Sequence, residues 1–286
     1  MSTPARVAAF VLGLVAVFGA ALGVGAAVGP VGAAAAPMAD GGHGDDGGDH
    51  EASASPAALP AGLQVSDGGY SLELAAASLP AGPAVPLSFR ITGPDGAAVT
   101  AYDESHEQDL HLIAVRRDLS GFQHVHPTLT ADGTWTTPLA LAPGSWRVLA
   151  DFVPTADGEK HVLGADLAVP GELAPVQLPP PAPTAEVDGY TVTLDGSLPA
   201  GEESALTFSV SRDGAPVTDL QPYLGAAGHL VVLRAGDLAY LHVHPEDGEL
   251  SFATTAPTAG TYRLFLDFRH GDVVRTAAFT VEADRG

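Results

Sequence analysis

Two stretches of this chain, Leu110–Pro127 (LHLIAVRRDLSGFQHVHP) and Gly228–Pro245 (GHLVVLRAGDLAYLHVHP), align without insertion or deletion. In each, a histidine opens an apolar run and a His-Val-His-Pro follows thirteen residues after it. His111, His124 and His126 therefore match His229, His242 and His244. The spacing suits a strand, a short turn and the start of a second strand. Residues two apart in a strand share a face, so each His-Val-His presents two imidazoles to one side, with the first histidine across the hairpin. Pro127 and Pro245 are expected to end the pairing and leave each pair near a sheet edge.

The repetition extends well beyond these stretches. Ser78–Gly82 and Ser197–Gly201 both read SLPAG; Leu87, Phe89 and Ile91 match Leu206, Phe208 and Val210. Gly144-Ser145-Trp146-Arg147 and Gly260-Thr261-Tyr262-Arg263 each run on to Asp-Phe, at Asp151-Phe152 and Asp267-Phe268. The spacing holds at about 116–119 residues, far beyond a solenoid period of 20–50, which indicates two domains. Short alternating runs at Tyr70–Leu74, Leu87–Ile91, His111–Val115, Trp135–Leu141 and Trp146–Phe152 lie between turn signals such as Gly93-Pro94-Asp95-Gly96. That pattern predicts an all-β protein of two tandem Ig-like β-sandwiches, at 67–169 and 187–283. Pro-rich 170–186 reads as a stiff linker.

The N-terminal region differs. Arg6 precedes an apolar run, Val7–Val28, and a Gly/Ala tail to Ala36. Residues 1–36 read as a signal-anchor helix, with signal-peptide cleavage near Ala33–Ala35 as the alternative. Either places the bulk of the chain outside the cytoplasm, tethered to the membrane or secreted. Residues 37–66 read as a flexible His/Asp/Gly-rich tether, in which His43 and His50 catch metal loosely at most.

Composition narrows the chemistry. With 12 Lys and Arg against 34 Asp and Glu, the net charge of -22 excludes nucleic acid as a partner. There is no Cys, and Met occurs only at Met1 and Met38, so thiolate and Met-rich Cu(I) sites are excluded. Imidazole and carboxylate remain, and these suit Cu(II) first, with Zn and Ni as the other candidates. Each triad is thus a candidate metal site, one per repeat. Asp151 and Asp267 are candidate fourth ligands, or ion-pair partners of Arg147 and Arg263 on the same strands. His106, His161 and His270 lack counterparts and read as surface residues. A partial cupin-type spacing from Gly236 to Glu249 is absent from the first repeat and reads as accidental. No nucleophile elbow or phosphate-cradling loop occurs, so no enzymatic activity is expected.

The GHLVVLR…DLAYLHVHP pattern with its downstream Gly-Thr-Tyr-Arg-Leu-Phe-Leu-Asp-Phe strand resembles exported His-containing YtkA-like, Ig-like domains. The resemblance covers Gly228–Val281 well and Leu110–Val169 less closely. It implies an Ig-like sandwich and copper handling at the cell envelope through His229, His242 and His244, and by match through His111, His124 and His126. The expected function is buffering or delivery of divalent metal, with an envelope transporter or chaperone as partner. The alternative is a structural or protein-interaction module at the cell surface. A three-histidine metalloenzyme is a weaker third.

Overall fold

The structure is a computed structural model that describes Val17–Phe18 and residues 59–241, 243–246 and 250–284. The expected anchor and most of the tether fall outside the described residues. Among the described residues no helix is long and apolar enough to cross a membrane.

The first repeat contributes β1 (Ser66–Asp67), β2 (Tyr70–Leu74), β3 (Gly82–Thr92), β4 (Leu110–Arg116), β5 (Gln123–Val125), β6 (Thr128–Leu129), β7 (Thr134–Leu141), β8 (Gly144–Phe152) and β9 (His161–Val169). These form two antiparallel sheets, β1-β2-β3-β7-β6 and β5-β4-β8-β9. The second repeat adds β10 (Thr184–Val187), β11 (Tyr190–Asp195), β12 (Glu203–Arg212), β13 (Ala215–Pro216), β14 (His229–Arg234), β15 (Tyr240–Leu241), β16 (Val243–Pro245), β17 (Ser251–Thr255), β18 (Gly260–His270) and β19 (Val273–Ala283). Its sheets are β10-β11-β12-β17-β16, with β13 on β12, and β15-β14-β18-β19. Alternation along β3 sends Leu87, Phe89 and Ile91 into a core shared with Leu112, Ala114, Val148 and Ala150 of the facing sheet. The second repeat builds its core the same way from Leu206, Phe208 and Val210 against Leu230, Val232, Leu264 and Leu266. Strands that neighbour in sequence but split between facing sheets give the Ig-like β-sandwich.

A third core lies on the outer faces of two sheets. Ile113 and Val115 of β4 and Leu149 of β8 pack with Val231 and Leu233 of β14, Tyr240, and Phe265 of β18. Phe122 stacks on Phe265 with centroids 3.9 Å apart and planes within 7°. β4 is consequently buried at every residue, one face in its own sandwich and the other against the second repeat. The apolar runs Leu112–Val115 and Leu230–Leu233 carry this double burial, as strands covered on both faces do. Each side chain of this size adds about 1.5–3 kcal/mol on burial. Residues 56–286 accordingly form one compact unit.

Two expected boundaries shift. The end of the tether is not loose: Gly62 N–H donates to Val162 O at 2.9 Å and Gly164 N–H to Gln64 O at 2.8 Å. The edge of β9 would otherwise present unpaired backbone groups. The linker is likewise pinned, Val176 N–H donating to Asp118 Oδ2 at 2.9 Å and Arg116 to Ala174 O at 3.0 Å, and β10 begins inside it at Thr184.

Candidate functional site

Parity along the strands places the site. On β4, His111 shares a face with Ile113 and Val115; on β14, His229 shares one with Val231 and Leu233. Both faces belong to the core between the repeats. His124 of β5 pairs with Ile113, which puts it on that face too. Asp151 pairs with His111 across β4 and β8, and Asp267 with His229 across β14 and β18. The repeated residues therefore meet where the two sandwiches meet.

His111, His124 and His229 each bring one ring nitrogen to within 4.8 Å of the other two. A metal with bonds of about 2.0–2.1 Å sets its imidazole nitrogens roughly 3–4 Å apart. The hydrogen bonds fix which nitrogens are bare. His111 Nε2 lies 2.9 Å from Ser105 O, which can only accept, so Nε2 carries the hydrogen. His124 Nδ1 donates to Asp267 Oδ2 at 2.8 Å, whose Oδ1 accepts from Thr276 Oγ1 at 2.5 Å. In neutral rings this leaves His111 Nδ1 and His124 Nε2 both as acceptors, and they face each other at 3.0 Å. Two lone pairs at that distance call for a cation between them, a proton or a metal ion. A ring whose second nitrogen donates to a carbonyl or carboxylate is oriented as metal-bound histidines are.

Charge balance adds to this. Asp267 is 2% exposed and, among the described residues, its ion-pair partner is His124. A buried carboxylate needs a positive counterpart. His111, His229 and His126 resist supplying one by protonation. Burial, reinforced by His124, pushes His111 down to about 3 and holds His229 well below the usual imidazole range. His126 is pushed down to about 4 by the same causes. Its ring sits 5.0 Å from those of His111 and His124, and its buried Nε2 has no hydrogen-bond partner.

Among the described residues, the histidines that converge come from both repeats. The first repeat's three histidines do converge, but the set closing around one point takes His229 from the second repeat. His244 is exposed on β16, paired with Ala253 in the other sheet, because the chain leaves the β14 sheet between Leu241 and Val243. His242 lies outside the described residues, as do His43 and His50.

The two aspartates also part company. Asp267 stands behind His124 as an orienting acceptor, and Asp151 accepts from Tyr240 Oη at 3.2 Å and pairs with Lys160 at 3.1 Å. Neither pairs with the arginine of its own strand: Arg147 bonds Asp166 and the Gly62 and Leu63 carbonyls, and Arg263 bonds Thr280. His161 and His270 are held by Asp157 and Tyr190. His106, expected on the surface, is half-buried with its ring 5.5 Å from that of His229 and 6.0 Å from that of His111.

The chain belongs to a family described as "Domain of unknown function (DUF8832)", which it matches over residues 64–171 and 185–285. No curated protein matches it. Similar solved structures include the Escherichia coli adhesin FdeC (17% identity, TM-score 0.25, covering 79% of this chain and 66% of that one). Fibronectin(III)-like modules of Clostridium thermocellum CbhA (12%, 0.23, 75% and 94%) and invasin, a bacterial integrin-binding protein (13%, 0.23, 76% and 39%), also match. The chain thus spans less than two thirds of the FdeC and invasin chains.

Proposed function

We propose that this member of the family is an extracytoplasmic, non-enzymatic protein of two tandem Ig-like domains that holds one divalent transition-metal ion between them. The observation that carries the reading is that His111 Nδ1 and His124 Nε2, both bare when the rings are neutral, face each other 3.0 Å apart beside a buried carboxylate. His229 is the third ligand, His126 the nearest further donor, and Ser105 and Asp267 fix the two tautomers. An all-imidazole donor set in a chain without thiols favours Cu(II), followed by Zn or Ni. The apolar run Val7–Val28 supports placement at the cell envelope, where such a protein buffers metal or passes it to a transporter or chaperone.

A second reading has its own observation. If His124 carries both protons, it donates to His111 and Asp267 at once, and the cluster is a satisfied ion pair in a structural or interaction module. Titration of metal-free protein with Cu(II) and Zn(II) separates the two. The metal reading expects binding that is lost in His229→Ala and kept in His244→Ala. Absence of binding in the unaltered protein leaves the structural module.

A further inference from the structure

We propose that His106 is an additional, outer ligand of this cluster, presented by the turn Ser105–Gln108. The proposal rests on the metal reading above. Ser105–Gln108 is closed by two backbone hydrogen bonds, Ser105 N–H to Gln108 O at 2.9 Å and Gln108 N–H to Ser105 O at 3.1 Å. Its central residues are both left-handed, His106 at φ 50° and Glu107 at φ 63°. Tight turns of this type favour Asn-Gly at those positions, and two successive side-chain-bearing residues there are uncommon.

The second repeat has the same turn at Tyr223–Ala226, with Leu224 at φ 57° and Gly225 at φ 78°. Leu224 is 5% exposed, so the first central position points inward. Packing at this place is thus met by leucine and an easier glycine. The first repeat instead uses an imidazole that meets His229 and His111 edge-on, at 79° and 73°. The same turn supplies the Ser105 carbonyl that fixes the His111 tautomer. One four-residue turn therefore both orients an inner ligand and offers an outer one.

The test compares unaltered protein with His106→Leu, which copies the second repeat's residue, in Cu(II) titrations and pulsed EPR counting of bound imidazoles. The expected result is one copper per chain in both, one fewer coordinated imidazole in the variant, and affinity weaker by tenfold or more at unchanged melting temperature. Identical imidazole count and affinity overturn the proposal while leaving the metal reading intact. Unaltered protein that takes up no copper overturns both.

Discussion

Asp151 and Asp267 occupy equivalent places in the two repeats, yet their partners differ, and this asymmetry is open to a quantitative test. Asp267 holds His124 Nδ1 at 2.8 Å and so aims Nε2 at the cluster. Asp151 accepts from Tyr240 and Lys160 and touches none of the three converging rings by hydrogen bond. Removing an outer-shell carboxylate typically costs 10–100-fold in metal affinity. Asp267→Asn should accordingly weaken Cu(II) or Zn(II) binding by about 1.4–2.8 kcal/mol. Asp151→Asn should change it by less than about threefold, since it disturbs a neighbouring ion pair and no ligand. Competition titration against a chelator at fixed pH measures both. Equal losses in the two variants would refute the reasoning, because they are what one site per repeat requires.

Three other outcomes follow from the packing and the charges. Phe265→Ala removes the ring stacked on Phe122 and should destabilise the fold by about 3–5 kcal/mol. In a unit of this size that lowers Tm by roughly 6–20 °C in a calorimetric scan. Tyr240→Phe deletes the hydroxyl donor to Asp151 and should cost about 1 kcal/mol in urea denaturation, with metal affinity unchanged. Without metal, His111 stays neutral down to about pH 3, whereas in the unfolded chain it protonates near pH 6.5. Between those values the unfolded state binds the extra proton, so stability is full above pH 6.5 and falls as pH drops toward 3. From pH 7 to pH 5 the loss from His111 is about 2 kcal/mol. The difference between unaltered protein and His111→Asn should contain it, and equal slopes would contradict the assignment.

The strands were legible because a half-buried strand writes its own alternation. Leu87, Phe89 and Ile91 announce an inner face, and the SLPAG and Asp-Phe echoes announce the second sandwich. Leu112–Val115 and Leu230–Leu233 are apolar at both parities, which requires two covered faces. That second face is what joins the repeats, and it explains why the histidines regroup across them. Nothing local to His229 says that its ring will meet His111, because the contact depends on how two sheets pack. His106 reads as a surface residue because no histidine matches it in the second repeat; its counterpart is Leu224, and an imidazole replacing an inward leucine is itself the signal. The aspartates looked alike because their strand context is alike, and their partners come from elsewhere in the chain.

The most direct measurement is the number of metal ions held per chain by residues 59–286, purified without a histidine tag and loaded with Cu(II) or Zn(II). Elemental analysis after desalting should give one ion per chain, falling to none when His111 and His229 are both replaced by alanine. Two ions would restore a separate site in each repeat. None would leave the cluster as a protonated structural contact and contradict the central claim.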